Sequence, residues 1–454
     1  MTFSDTPNQT GMQRAVEESK NFERITKGVY QVTARDIYGS IETPGIAVFA
    51  YGSPGRIEMV GGDSDADIFL VERPRTEQSQ AFKKLFTERM KLFDYSKIDM
   101  PEWGTFQEIE TYLSKSIVEG NQVLETRYLI GSSQVKKQMN ELLHHHNSVE
   151  RELKGIIFNR FYFNQYFSQR RRNGFHNVKY CPGGSRDFLF VYWHDKLSRM
   201  VDGANNELSY RPFIESGLKR LFECNKITER ERTHSLDAAG FLIELRSDIL
   251  NLNKHTPERG LTVLDSNTAK RLEFVGYPAF EEIKSLFEHY RKNLEFISNI
   301  VWNSTIDIGS KLKGEEWKRQ FKLASNSDIE QKERVNLSHE DALIRIALLW
   351  GASNANQKEL FEYFARKYLQ SEDWATIGSI VSSPHCPGDI LHHFGTGVLK
   401  QQGYGYLLRV VARNQNVAQQ TLEDIAADPK LEERYTEVAK AALKGGYTSA
   451  NHQV

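Results

Sequence analysis

The sequence predicts an α+β protein with a small mixed-sheet domain, then a helical bundle, then a C-terminal α-helical repeat region. Three observations predict it. Two short runs rich in β-branched and aromatic residues, Gly45 to Tyr51 and Ile68 to Val71, flank a glycine-rich loop and are too brief for helices. From about Thr105 to Ser310, apolar residues recur three and four apart with few prolines, the pattern of packed helices. Leu360, Leu391 and Leu422 then recur at 31-residue spacing. The implied domains are 1–104, 105–310 and 340–454.

Residues 14–38 read as a helix. The strand at 45–51 and a second at 68–72 follow, and Gln80 to Phe93 carries Phe82, Leu85, Met90 and Phe93 at helical spacings. A third strand is expected near Tyr95 to Met100. In the C-terminal region each leucine is followed three residues later by a bulky apolar residue, Tyr363, Phe394 and Ile425, and preceded by a small-polar turn. A fixed period of this size marks stacked helical units that bury their faces only against their neighbours. The second and third units resemble variant leucine-rich repeats, which implies a surface for a protein partner; the alternative is a plain helical cap that completes the bundle.

The chemistry concentrates in Tyr51 to Val71, YGSPGRIEMVGGDSDADIFLV. Gly52-Ser53 breaks the first strand, and glycine lets a backbone turn sharply and approach a ligand closely. The following amides and the Ser53 hydroxyl are donors for phosphate oxygens. Asp65-Ala66-Asp67 opens the next strand, where residues two apart share a face, so both carboxylates converge. Hard oxygen ligands of this kind suit Mg²⁺, or Mn²⁺, bound together with substrate phosphates. An acidic pair at a strand end is by itself commonly a solvated turn.

The whole series of strand, Gly-Ser turn, Gly55-Arg56-x-Glu58, Ser64-Asp65-x-Asp67 and four apolar residues resembles the nucleotidyltransferase fold of the DNA polymerase beta superfamily, in particular the PII uridylyltransferases. Ile57 stands where that family has glycine, and the loop from Glu58 to Ser64 is one residue longer. The insertion opens the first position to Asp63, but the apolar run after Asp67 favours Asp65 and Asp67. A second stretch, Asn177-Val178-Lys179-Tyr180-Cys181-Pro182-Gly183-Gly184-Ser185-Arg186-Asp187, resembles the same family's Asn-x-Lys-x-Gly-Pro-Gly-Gly-x-Arg-Asp signature, with Cys181 in place of glycine. It reads either as a structural turn, with Asp187 capping the next helix, or as a carrier of Lys179 and Arg186 to nucleotide phosphates. Glu125 to Gly131 is similar to a helix end of the family, and Ala239 to Leu250 to a later helix, so the likeness covers roughly residues 30–310.

This resemblance implies a nucleoside triphosphate substrate, with phosphates at Gly52, Ser53, Gly55 and Arg56, metal at Asp65 and Asp67, and a protein side chain as the favoured acceptor, a small molecule or an RNA end being the alternatives. It further implies a third acid on a neighbouring strand as general base, for which Asp99 is the candidate and Glu102 the reserve. The histidine and aspartate ligands of the family's hydrolase domain are not found after residue 310, and the chain is too short for its sensing domains, so transfer in one direction, or reversal by a separate enzyme, is expected.

Composition sets outer bounds. A net charge of −1 lacks the basic balance of nucleic-acid binders. Three dispersed cysteines, Cys181, Cys224 and Cys386, argue against a disulfide framework or zinc site, and with no leader-like start or long apolar run the expected setting is the cytoplasm. Arg170-Arg171-Arg172 reads as a solvated face, and His144-His145-His146 as a helix end. Two functions compete: a metal-dependent nucleotidyltransferase, and a catalytically inactive, nucleotide-responsive protein-binding regulator.

Overall fold

The computed structural model describes residues 7–43, 45–55, 59, 66–93, 98–99, 104–115, 126–146, 148–168, 176–179, 183–185, 187–202, 213–253, 263–326, 337, 340–399, 405–431 and 433–444. The architecture is α+β and the chain divides into two units. The first comprises Met1–Ser114, Glu119–Glu152 and Gly174–Trp302; the second comprises Lys115–Val118, Leu153–Asn173 and Asn303–Val454.

In the first unit, helix α1 (Pro7–Tyr38) leads into strand β1 (Ile46–Ala50), a single turn α2 (Gly52–Gly55), strand β2 (Ala66–Glu72) and helix α3 (Glu77–Met90). Strand β3 (Ile98–Asp99), helix α4 (Phe106–Lys115), strand β4 (Arg127–Gly131) and helix α5 (Ser133–His146) follow. The sheet order is β3-β2-β1-β4, with β1 antiparallel to both neighbours and β3 parallel to β2. Ile46, Val48 and Ala50 join Ile68, Leu70 and Leu129 in a core with Phe22 and Tyr30 of α1 and Phe82, Phe86 and Met90 of α3. The alternate residues Ala47, Phe49, Phe69 and Val71 meet Ile109 and Leu113 of α4 and Val135 and Met139 of α5. Burial on both faces explains why β1 reads as an unbroken apolar run rather than an alternating one.

Helix α3 begins with a capping box: Ser79 N–H donates to Thr76 Oγ1 at 3.0 Å, and Thr76 N–H to Ser79 Oγ at 2.9 Å. Its buried stripe is Phe82, Phe86 and Met90; Phe93, expected on that stripe, lies past the helix end and is exposed. The larger departure is β4. Arg127 to Gly131, expected as a helix end, is a strand because pairing with β1 satisfies its backbone and buries Leu129. Gly131 ends it at φ +121°, where a Cβ would stand 2.4 Å from the Ile46 carbonyl oxygen.

Helix α6 (Val149–Ser168), strand β5 (His176–Asn177), and helices α7 (Asp187–Val201), α8 (Phe213–Glu223) and α9 (Glu229–Asn253) continue the chain. Strand β6 (Val263–Leu264) pairs with β5, and helices α10 (Ser266–Glu273) and α11 (Phe280–Lys313) follow. Helix α1 lies tight on α9. A Cβ on Gly11 would come within 2.1 Å of the Gly240 carbonyl oxygen, and Arg14 pairs with Asp248 at 2.9 Å.

The second unit is helical. Helices Ala342–Asn354, Trp374–Val381 and Gly405–Arg413 alternate with Lys358–Lys367, Gly388–His393 and Gln419–Ala426. Asp341 and Asp373 cap the first two of these through backbone amides, and each carboxylate also holds a lysine, Lys313 at 2.8 Å and Lys154 at 2.6 Å. Leu360, Leu391 and Leu422 are buried, as are Phe394 and Ile425, but Tyr363 is exposed. Amides link successive turns: Asn414 Nδ2 donates to the carbonyls of Val381 and Ser383 at 2.9 and 2.8 Å. Among the described residues no helix is long and apolar enough to cross a membrane.

Helix α4 gives a direct test of its start. Glu108 accepts from the amides of Gly104 and Thr105 and from the Thr105 hydroxyl, at 2.8 to 2.9 Å, and pairs with Arg75 at 2.8 Å. Burial opposes the charge, but these donors outweigh it and hold the carboxyl down at about 2. A depressed carboxyl stabilises the fold above its unfolded pKa and loses that contribution as pH falls through the folded one. Glu108→Ala is therefore expected to cost about 1 kcal/mol at neutral pH. In urea titrations the gap from wild type should hold down to about pH 4.5 and close towards about pH 2; a gap independent of pH would show that the charge is not what starts the helix.

Candidate active site

The candidate site forms where β1 ends against the start of β2. Tyr51 N–H donates to the Asp67 carbonyl at 3.0 Å, and Gly55 N–H closes the α2 turn onto the Tyr51 carbonyl at 3.0 Å. Gly52 enters that turn at φ +56°, in the left-handed region, and a Cβ there would stand 2.2 Å from Asp67 Oδ2 and 3.0 Å from its Cγ. The Asp67 carboxylate thus lies against the bare Cα of Gly52. A side chain at position 52 would both strain the backbone and displace the carboxylate. Ser53 is partly exposed and Gly55 is buried.

Strand β3 adds a second acid position. In the parallel register Asp99 is the partner of Asp67, and Ile98 of Ala66. Gly52, Asp67 and Asp99 are therefore neighbours through one strand end, one turn and one strand pair. Asp65, Arg56 and Arg186 lie outside the described residues, as do Asp63 and Glu102. Asp67 sets one carboxylate, a hard oxygen donor of the kind Mg²⁺ or Mn²⁺ takes, beside the glycine turn; among the described residues no group of three or more His, Cys, Asp or Glu is placed to hold a metal ion.

Lys179 belongs to a separate substructure, the turn after β5. Its N–H donates to Asn177 Oδ1 at 3.0 Å, Ser185 N–H returns to the Val178 carbonyl at 3.0 Å, and Gly183 N–H donates to Asp187 Oδ2 at 2.8 Å. Gly183 sits at φ +75° with its Cα against α11, where a Cβ would meet the Arg291 carbonyl oxygen at 2.0 Å. Asn177, Gly183 and Asp187 thus build the turn, and Asp187 opens α7. The Arg170 to Arg172 run lies outside the described residues, and α5 ends at His146.

Three supporting residues escape a linear reading. Arg127 Nη1 donates to Glu23 Oε2 at 2.6 Å, and its Nη2 donates to the Pro54 carbonyl at 3.3 Å. Glu23 also accepts from Lys27 at 2.6 Å. Burial raises the Glu23 carboxyl, but the hydrogen bonds from Lys27 and Arg127 outweigh it and leave the group below its ordinary value. Ser19, one turn before Glu23 on α1, accepts from Met59 N–H at 3.3 Å. Ser19 and Glu23 stand one helical turn apart on α1, a spacing that alone does not tell such polar residues from solvent-facing ones.

Part of the chain is similar in sequence to a known protein. No family model matches the chain. Over 267 residues it is 26% identical to the bifunctional uridylyltransferase/uridylyl-removing enzyme of Haemophilus influenzae (strain 86-028NP). That similarity covers 57% of this chain and 29% of the relative, so the chain spans less than a third of that protein's length.

Two glycines on neighbouring elements separate strain from simple helix propensity. Gly52→Ala is expected to lose roughly 1–3 kcal/mol, the usual cost of forcing a side chain into such a backbone conformation. Gly28→Ala, within α1 and with open space around its Cβ position, should instead gain about 0.5–1 kcal/mol. Chemical denaturation midpoints measure both; equal effects would contradict the close packing of Gly52 on Asp67.

Proposed function

We propose that the chain is a metal-dependent nucleotidyltransferase that moves a nucleoside monophosphate from a nucleoside triphosphate to an acceptor hydroxyl on a protein, as in uridylylation or adenylylation. The observation that carries this reading is the packing of Gly52 on the Asp67 carboxylate, which joins a glycine turn to an acidic side chain. The register of Asp99 beside Asp67 supports it, as does the partial likeness to a uridylyltransferase.

In this reading Asp65 and Asp67 hold Mg²⁺ or Mn²⁺, which when bound neutralises polyphosphate charge. The amides of Gly52 and Ser53 and the Ser53 hydroxyl donate to phosphate oxygens, and Gly55 keeps the turn tight. Arg56, Lys179 and Arg186 are the cations that hold the triphosphate by charge-assisted hydrogen bonds. The acceptor oxygen attacks the α-phosphorus in line with the bond to the β-phosphate. The new O–P bond forms as that bond breaks, pyrophosphate leaves, and the hydroxyl proton passes to Asp99 as general base. The C-terminal helices are the surface that selects the protein acceptor. A cytoplasm supplies the nucleotide and keeps the thiols reduced.

The test is to supply Mg²⁺, each of the four α-labelled nucleoside triphosphates and host lysate, and to follow label into protein, RNA and small molecules. Label should enter protein from one nucleotide. Asp67→Asn, which removes charge while keeping volume, should reduce transfer by more than about 100-fold, beyond the usual cost of losing an outer-shell partner of a metal ligand. Full transfer by Asp67→Asn would overturn the assignment; triphosphate binding with no transfer by wild type would leave the regulator in its place.

A further inference from the structure

The Glu23–Arg127 pair stands at the base of the α2 turn. Arg127 opens β4 as the register partner of Ala50, the last residue of β1, and its guanidinium reaches forward to the Pro54 carbonyl. Its side chain is 15% exposed and that of Glu23 is 16% exposed, with 2.6 Å between the charged groups. A single helical turn has its N–H groups at one end and its C=O groups at the other. Arg127 grips a carbonyl of α2, while the amides of Gly52 and Ser53 belong to the opposite end. A guanidinium so enclosed and already matched by a carboxylate is suited to holding backbone rather than to meeting a phosphate. Ser19 makes a similar hold from α1 on Met59, past the end of the same turn.

We propose that Arg127 and Glu23 are positioning residues for nucleotide binding: Arg127 fixes the α2 turn through the Pro54 carbonyl, and Glu23 keeps the guanidinium in place. This rests on α2 being the phosphate-binding turn. The role differs from direct phosphate contact in the sign of one effect. If Arg127 acts through the turn, Glu23→Gln loosens the guanidinium and weakens triphosphate binding. If Arg127 touches phosphate, Glu23→Gln releases positive charge to the ligand and tightens binding.

The experiment measures Kd for a fluorescent nucleoside triphosphate with Mg²⁺ on the full chain, for wild type, Glu23→Gln, Arg127→Lys, Arg127→Met and Gly52→Ala. Arg127→Met should weaken binding roughly tenfold, the scale of one charge-assisted hydrogen bond. Arg127→Lys, which keeps charge but cannot serve both partners, should fall between it and wild type. Glu23→Gln should weaken binding in the same direction. In the transfer assay these losses should appear in KM with kcat little changed. Tighter binding by Glu23→Gln, or unchanged affinity in both Arg127 variants while Gly52→Ala loses the nucleotide, overturns the positioning role and leaves the turn assignment standing. Unchanged affinity in Gly52→Ala, or no binding by wild type, removes the turn assignment itself and the positioning role with it.

Discussion

Everything at the candidate site depends on the contact between the Gly52 backbone and the Asp67 carboxylate. It needs a left-handed residue without a Cβ at the end of β1, an aspartate at the second position of β2, and an antiparallel register that brings the two together. The hydrogen bond from Tyr51 N–H to the Asp67 carbonyl extends that register by one step beyond the last strand pair. A one-residue slip would turn Asp67 into the core lined by Ile68 and Leu70, where an unpaired charge is strongly disfavoured. The two apolar cores on either face of the sheet therefore fix the position of the acid as well as the stability of the strands.

Helix α1 links this contact to the rest of its unit. Phe22 and Tyr30 bury one stripe against the sheet, Glu23 and Ser19 hold the turn region, and Gly11 and Arg14 press the start of the helix on α9. The Gly11–Gly240 approach is closer than any side chain permits, so the helices meet backbone to backbone. A rigid support of this kind suits a site whose proposed work is to hold a polyphosphate still while one bond is exchanged for another.

The sequence pattern was most legible where a signal was local. Strands β1 and β2 announced themselves through β-branched and aromatic runs bounded by glycine, and α3 through its spacing of Phe82 and Met90. Asp99 fell in the short strand foreseen near Tyr95 to Met100, and its register beside Asp67 came only with the structure. Strand β4 is not legible in the sequence because five residues following a helical pattern carry little information of their own; pairing with β1 decides their conformation. The Arg127–Glu23 pair was hidden for a different reason. Its members are 104 residues apart, and neither position by itself points to the other. Tyr363 shows the converse: a periodic position that looked like core faces solvent, because only Leu360 of that unit's pair turns inward.

The most direct measurement is a crystal structure of the chain with Mn²⁺ and a non-hydrolysable nucleoside triphosphate, with the ion located by its anomalous scattering. An anomalous peak is expected at the Asp67 carboxylate, with triphosphate oxygens on the amides of Gly52 and Ser53. Nucleotide bound away from the α2 turn, or an ion with no contact to Asp67, would contradict the proposed site.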